Sequence, residues 1–435
     1  MAATVDVPPS IVLILADDQR WDTLWSMPTV GSELAEKGIS FANGYVSNPL
    51  CCPSRASTLT GQYSHSNGVY TNGPPHGGFP AFDDRSTIAT RLQQAGYRTA
   101  MIGKYLNGYE GPYVPPGWDR WFATYVNGAF YRYLANADGA MKRYGTEPHA
   151  YGTNVLAGEA VRFIGSTPAD EPLFLYFAPH APHNPAIAAP GDGDSFADLE
   201  RWRPPSYDEA DVSDKPAYIR SRPPLDAEKR SRIDAFRRDQ YRSLLALDRA
   251  VGEIVEALEE SGRLANTLIV FTSDNGMLWG EHRWGTKLVP YEESIHVPFV
   301  VRFDAAIGSP RTDDRLVLNI DLAPTFAELG GVAAPEMEGT SLLPLLGGGA
   351  GPWREDFLLE HLEKNSISVP TYCGVHTERH VFVRYVTGEE ELYDLDRDPA
   401  QLENLVALGG FEELRRDLLR RLRELCDPVP PGYAW

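Results

Sequence analysis

Cysteine is scarce. Four residues, Cys51, Cys52, Cys373 and Cys426, in a chain of 435 are too few for a disulfide scaffold. The neighbours Cys51 and Cys52 cannot bridge each other without strain, which leaves one pairing open, Cys373 with Cys426. Long apolar runs are missing as well: none approaches the roughly 20 residues needed to cross a bilayer. No Asn-x-Ser/Thr acceptor occurs, which disfavours a glycosylated secretory protein. Met1–Ser10 has neither a basic region nor an apolar core, so it does not read as a signal peptide. As written, the sequence is expected in the cytoplasm, or outside it or in a periplasm if a leader was removed. Positive charge is also short. Lys plus Arg number 40 against 60 Asp plus Glu, a formal net charge of −20, which argues against a nucleic-acid partner or an anionic membrane surface. An anionic small molecule stays possible, because a few local cations and a metal outweigh the global field inside a cleft.

What is present describes an ordinary globular protein, with 43% hydrophobic and 23% charged residues and length for about two to three domains. Buried-type apolar runs alternate with helical patterns. Strands are expected at Ile11–Ala16, Ile39–Val46, Tyr97–Ile102, Leu173–Phe177, Thr267–Thr272 and Val297–Arg302. Helices are expected at Pro28–Lys37, Thr87–Ala95, Asn154–Ile164, Arg237–Ser261 and Asp321–Leu329. That alternation is the mark of an α/β fold. Tyr63–Phe82 reads as a Gly-, Asn- and Pro-rich loop lining the cleft, with His65 and His76 exposed rather than ligating. Pro190–Pro224 reads as a surface excursion or lid. The glycine-rich break Gly347–Gly351 divides a catalytic domain, 1–347, from a C-terminal subdomain, 348–435. The latter carries a hairpin, His380–Val386 with Glu391–Leu395, and a terminal helix, Phe411–Leu425.

The chain is organised around Leu50-Cys51-Cys52-Pro53-Ser54-Arg55-Ala56-Ser57-Thr58-Leu59-Thr60-Gly61. Pro53 suits a first helical turn, and Gly61 suits a helix end. Cys51 would face the positive end of that helix, with Arg55 one turn further in, a setting that stabilises an anion. A thiol there either packs or is a low-pKa nucleophile. Acidic pairs follow two of the strands: Asp17-Asp18 after the first and Asp274-Asn275 after Thr267–Thr272. Strand ends are where open α/β sheets hold ligands. Two such pairs far apart in sequence make a shared metal site plausible, since hard oxygen donors suit calcium. Gly103-Lys104 follows another strand, and Ala178-Pro179-His180-Ala181-Pro182-His183 a fourth.

Cys-x-Pro-Ser-Arg followed by x-x-x-Leu-Thr-Gly resembles the signature of the type I sulfatases, of the alkaline phosphatase superfamily. The resemblance extends over nearly the whole chain and is most specific at residues 50–61 and 271–292. It implies a large mixed, mostly parallel sheet flanked by helices, with a smaller C-terminal α+β subdomain. It implies that Cys51 is oxidised to formylglycine by a formylglycine-generating enzyme, and that Asp17, Asp18, Asp274 and Asn275 hold one calcium ion against residue 51. Arg55, Lys104, His183 and Lys287 then take catalytic positions, His183 through the pattern Pro-His-x-Pro, with His180 structural. His282 is placed in the substrate pocket. Many sulfatases carry a histidine two residues after the lysine; Leu106 stands there instead. Gly-Lys-Tyr-Leu-Asn resembles the subgroup containing N-acetylglucosamine-6-sulfatase, and Asn107 is placed in the vacated space as a substrate contact. The implied reaction is hydrolysis of a small-molecule or carbohydrate sulfate ester. The alternatives are a phosphonate monoester or phosphodiester hydrolase of the same superfamily, and a non-catalytic binding protein with Cys51 unmodified.

Overall fold

A computed structural model describes residues 7–125, 129–364 and 369–435. The reading of the N-terminal leader therefore falls largely on residues 1–6, outside the described residues. Fourteen strands form two sheets. The large one contains β1 (Ser10–Ala16), β2 (Ile39–Tyr45), β3 (Arg98–Gly103), β4 (Arg120–Tyr125), β5 (Leu134–Ala137), β6 (Ala140–Arg143), β7 (Leu173–Ala178), β8 (Thr267–Ser273), β9 (Phe299–Arg302) and β10 (Arg311–Leu318). Their order across the sheet is β10-β2-β9-β8-β1-β7-β3-β4-β5-β6. The middle run β8-β1-β7-β3-β4 is parallel throughout. Antiparallel strands flank it on both sides, which makes the sheet mixed and mostly parallel.

Strand β1 shows why its run is apolar without a break. Val12, Ile14 and Ala16 pack into one core with helices Gly152–Ser166 and Ala227–Glu260. Ile11, Leu13 and Leu15 pack into a second core with helices Cys51–Thr60, Ile88–Gln94 and Leu322–Leu329. A strand covered on both faces has no solvent side to mark with polar residues. Parallel strands also deliver all their C-terminal ends to one edge of the sheet. The loops from β8, β1, β7 and β3 therefore open onto one cleft.

The small sheet is antiparallel, β11 (Asp356–His361), β12 (Tyr372–Thr377), β13 (His380–Tyr385) and β14 (Glu390–Asp394), in that order. Only β13 and β14 match the expected hairpin. One face packs on Tyr45, Leu50, Leu288 and Tyr291 of the larger part. The other packs on helix Glu412–Leu425, and the open pairing resolves to a Cys373–Cys426 disulfide joining β12 to the residue after that helix.

Two expectations need correction. The long helix runs Ala227–Glu260, starting ten residues before Arg237. Its first turns are charged and largely exposed, so they carry no apolar period. They are helical because Asp226 caps them, accepting from the Lys229 N–H at 2.8 Å. The 190–224 excursion is not a free flap either. Lys215 is fully buried and donates to Gln401 O and Leu402 O at 2.5 and 2.9 Å. Trp202 Nε1 donates to Glu281 at 2.6 Å.

Candidate active site

The helix Cys51–Thr60 begins three residues before the turn that Pro53 suggested, with Cys51 itself in the first turn. Gly61 ends it at φ 68°, a left-handed conformation that costs glycine little. Every residue of this helix is buried. Its start meets the paired ends of β1 and β8, which run in register from Ser10 opposite Thr267 to Ala16 opposite Ser273. That register brings Asp17-Asp18 beside Asp274-Asn275. The Asp18 N–H donates to Asp274 Oδ1 at 3.1 Å, and Asn275 Nδ2 to Asp18 Oδ1 at 2.6 Å.

Cations and carboxylates alternate around Cys51. Its Sγ lies 3.6 Å from Asp17 Oδ1 and 2.7 Å from Lys287 Nζ. Lys287 also donates to Asp18 Oδ1. Lys104 Nζ donates to Asp17 Oδ2 at 2.6 Å. Arg55 Nε donates to Asp274 Oδ2 at 2.7 Å, and its Nη1 to Lys104 O at 2.7 Å. His183 Nε2 stands 3.7 Å from Asp18 Oδ2. A side-chain donor atom from each of Asp17, Asp18, Cys51 and His183 falls within one 4.8 Å group. Burial resists ionisation of Asp17, but Lys104, His183 and Arg55 outweigh it and hold its carboxyl well below the ordinary carboxylate range. Burial pushes the Cys51 thiol up to about 12, against the opposing pull of Lys104 and Lys287. An unmodified Cys51 is therefore a neutral thiol, not a ready nucleophile.

The donor set fits a hard divalent cation. Three carboxylates and one amide converge, and Asn275 Oδ1 is buried with no hydrogen-bond partner among the described residues. An amide oxygen left facing carboxylates lacks a cation, not a further acceptor. Arg55 Nη2 is likewise buried and unpartnered, an N–H donor left for an acceptor.

Sequence reasoning misplaces two histidines and undervalues a third. His65 is not an exposed loop residue. Its side chain is 5% exposed and bonded to Glu360 at 2.6 Å. His76 is exposed as expected. His282 is wholly buried, bonded through Nδ1 to Glu209 at 2.6 Å and stacked on Tyr291 with ring centres 4.0 Å apart. No hydrogen bond among the described residues ties it to the Cys51 group. His180, read as structural, lines the same cavity as Lys104, Asn107 and His183. Its Nδ1 is buried without a partner among the described residues, and burial drives its pKa well below the ordinary value, so the ring is neutral. The signal was in the sequence: Pro-His-x-Pro occurs twice, at 179–182 and at 182–185, and His180 is the one nearer the end of β7.

Residues 9–332 match the Sulfatase family, and residues 280–427 match the C-terminal family of N-sulphoglucosamine sulphohydrolase. The chain belongs to the sulfatase family. It is 35% identical over 368 residues to an extracellular sulfatase SULF-1 homolog of Drosophila melanogaster, covering 81% of this chain and 33% of that one. It therefore spans about a third of the length of that relative. It is 31% identical to an N-acetylglucosamine-6-sulfatase of Capra hircus, covering 91% of this chain and 80% of that protein. A solved structure of a protein in complex with its substrate, D-glucosamine-2-N,6-O-disulfate, superposes with a TM-score of 0.86 at 25% identity, covering 96% and 97% of the two chains.

Proposed function

We propose that this sulfatase-family chain hydrolyses sulfate monoesters of a carbohydrate or aryl alcohol, with residue 51 in its oxidised, formylglycine form. The observation that carries this reading is the convergence on Cys51 of two strand-end aspartates and two buried lysines at the start of a helix. A sulfate monoester resists attack because its anionic oxygens repel nucleophiles, so a site must neutralise them and hold a nucleophile in line. Formylglycine supplies an oxygen nucleophile, and a divalent cation, calcium in this proposal, supplies Lewis acidity. Asp17, Asp18, Asp274 and Asn275 would hold that cation beside residue 51.

The remaining work falls to side chains of this chain. The Cys51–Thr60 helix presents free N–H groups and its positive end toward the sulfate. Lys104 and Lys287 add two ammonium groups, and Arg55 fixes Asp274 while keeping one N–H free. Lys287 Nζ lies within hydrogen-bond reach of both Asp18 and Cys51, so it is placed to give a proton to the leaving alcohol oxygen. His183 is the second candidate donor. Its Nδ1 contacts the Asn184 carbonyl at 2.6 Å; a carbonyl only accepts, so Nδ1 carries the hydrogen and Nε2 faces the cleft. Donation from Nε2 then requires the imidazolium form. His282, buried behind the cleft, supports the wall that carries Lys287 and is not assigned a substrate contact.

The division at residue 347 is also proposed, with the small sheet as a subdomain. Two features support an oxidising compartment: the Cys373–Cys426 disulfide and the extracellular designation of the Drosophila relative. The N-acetylglucosamine-6-sulfatase relative and the disulfated-glucosamine complex support a sulfated amino sugar as substrate.

The test is hydrolysis of 4-nitrophenyl sulfate beside the matching phosphate and phosphonate esters, in protein co-produced with a formylglycine-generating enzyme. Sulfate turnover that chelation abolishes and calcium restores is the expected result. A preference for the phosphorus esters would move the assignment to a phosphonate or phosphodiester hydrolase. No turnover of any ester would leave a binding protein.

A further inference from the structure

One cavity, of about 320 Å³, opens beside the Cys51 group. That volume lies at the lower end of small-molecule sites, about 300–1,000 Å³, and suits one monosaccharide. Its position follows from strand order. Across the parallel run the strand ends come as β8, β1, β7, β3 and β4. The acidic pairs follow β8 and β1, His180 follows β7, Lys104 follows β3, and Thr124 lies near the end of β4. Lys104 joins the two halves, since its Nζ bonds Asp17 while the residue also lines the cavity. A substrate with its sulfate against residue 51 therefore points its alcohol portion toward β4.

The lining is unusual in what it leaves unpaired. Thr124 is 3% exposed and His180 is 9% exposed. The buried atoms Thr124 Oγ1, His180 Nδ1 and Asn107 Oδ1 have no hydrogen-bond partner among the described residues, and all three residues line this one cavity. Buried polar atoms are normally satisfied, and each one left unpaired costs about 1–3 kcal/mol. Three in one concave wall point to a ligand rich in hydroxyl or amide groups. Tyr125 adds a half-buried aromatic ring. Glu110, at the exposed mouth, forms no ion pair among the described residues. A carboxylate there accepts from O–H or N–H groups and repels a second anion.

We propose that this cavity is the subsite for a single pyranose ring of the sulfate ester. Thr124 and Asn107 bond ring substituents, and Glu110 selects rings whose far substituent is neutral or cationic over those bearing an additional sulfate. The proposal rests on the sulfate-ester reading above and adds the residues that choose the alcohol.

The test begins with binding, using protein produced without the maturation enzyme, so that Cys51 remains a thiol and nothing turns over. N-acetylglucosamine 6-sulfate and glucosamine 2-N,6-O-disulfate are titrated calorimetrically into the parent chain, T124V and E110Q. Thr124→Val is expected to weaken N-acetylglucosamine 6-sulfate binding about tenfold or more, the loss of one hydrogen bond at about 1.4 kcal/mol. Glu110→Gln is expected to narrow the preference for that sugar over the disulfate by a similar factor. In matured protein, T124V should lose at least tenfold more kcat/KM on the sugar sulfate than on 4-nitrophenyl sulfate. Unchanged sugar affinity in T124V, or equal losses on sugar and aryl sulfates, would overturn the subsite. Sugar binding that depends on Thr124, in protein that never turns over any sulfate ester once matured, would sustain the subsite and refute the sulfatase reading.

Discussion

Two regions of this molecule bury charge, and they do so in opposite ways. Beneath the small sheet, Glu391 is fully buried, and its carboxylate accepts from the hydroxyls of Tyr291 and Tyr393 at 2.7 and 2.6 Å and from that of Tyr385. Lys215 closes the group by donating to the Tyr393 hydroxyl at 3.1 Å. Three donors around one carboxylate form a finished arrangement. At the cleft, three carboxylates and three cations also stand close together, yet Asn275 Oδ1, Arg55 Nη2, Thr124 Oγ1 and His180 Nδ1 lack partners among the described residues. The difference separates a network that holds the fold from one that awaits a ligand. Satisfied polar groups rigidify a core, whereas unpaired ones store a cost that binding relieves.

The comparison breaks most sharply at Asp274. Asp274→Asn keeps the side-chain shape but removes a charge from the cleft. It should lower kcat on an aryl sulfate by on the order of 10²–10³, the usual loss for one electrostatic contact to a transition state. Calcium affinity should fall with it, while circular dichroism keeps the native helix and strand signals. Full activity in this variant would remove the assigned metal site.

Glu391→Gln should do the reverse. An amide cannot receive three hydroxyl donors as a carboxylate does, and losing part of such a network costs about 1–3 kcal/mol. The midpoint of urea unfolding should drop accordingly, with kcat per folded molecule within about twofold of the parent. A loss of kcat without loss of stability would mean that the two networks are coupled.

Arg20 lies between these cases. It is buried and satisfied, with bonds to Asp22, Glu281 and Met277 O, and its guanidinium carbon lies 4.2 Å from the Trp279 ring centre. It follows Asp17-Asp18 directly and ties that loop to the loop after Asp274-Asn275. Arg20→Lys loses the planar fork. It should weaken calcium binding by about tenfold while the unfolding transition remains cooperative. Calcium affinity equal to the parent's would place Arg20 wholly in the structural class.

The smallest effect concerns His65. Burial opposes its charge, but hydrogen bonds from Glu338 and Glu360 outweigh burial and hold it up to about 10. A folded-state pKa above the unfolded value of about 6.5 contributes stability that is complete below that pH and is lost as pH rises through 10. The gap in unfolding temperature between the parent and His65→Gln should be widest near pH 6 and close by about pH 10. A gap constant with pH would show that the histidine is neutral in the fold.

Much of the cleft is legible in the sequence because its residues sit at the ends of unbroken apolar runs. Such runs can only be central strands, and Asp17-Asp18 and Asp274-Asn275 end two of them; the strand pairing then brings the pairs together. Cys51 to Gly61 is legible because proline, arginine and glycine each fix a step of a loop-to-helix turn. Thr124 is not legible. It sits in Arg-Trp-Phe-Ala-Thr-Tyr, where a threonine is an ordinary strand residue, and only the sheet order reveals that β4 ends beside Lys104. His282 looks like a pocket residue because it lies five positions before Lys287, but the chain turns there at φ 50° and the ring goes into the core. Strands β11 and β12 escape notice because both faces of the small sheet are covered, one by the larger part and one by helix Glu412–Leu425. That burial removes the alternation of polar and apolar residues by which a hairpin strand is recognised.

The most direct measurement is the mass of the tryptic peptide Gly38–Arg55 from protein made with a formylglycine-generating enzyme present. A peptide that has exchanged the sulfur and two hydrogens of Cys51 for one oxygen, and that captures a hydrazide probe, is the predicted result. A peptide that retains the intact thiol, in protein that still hydrolyses sulfate esters, would contradict the account at its centre.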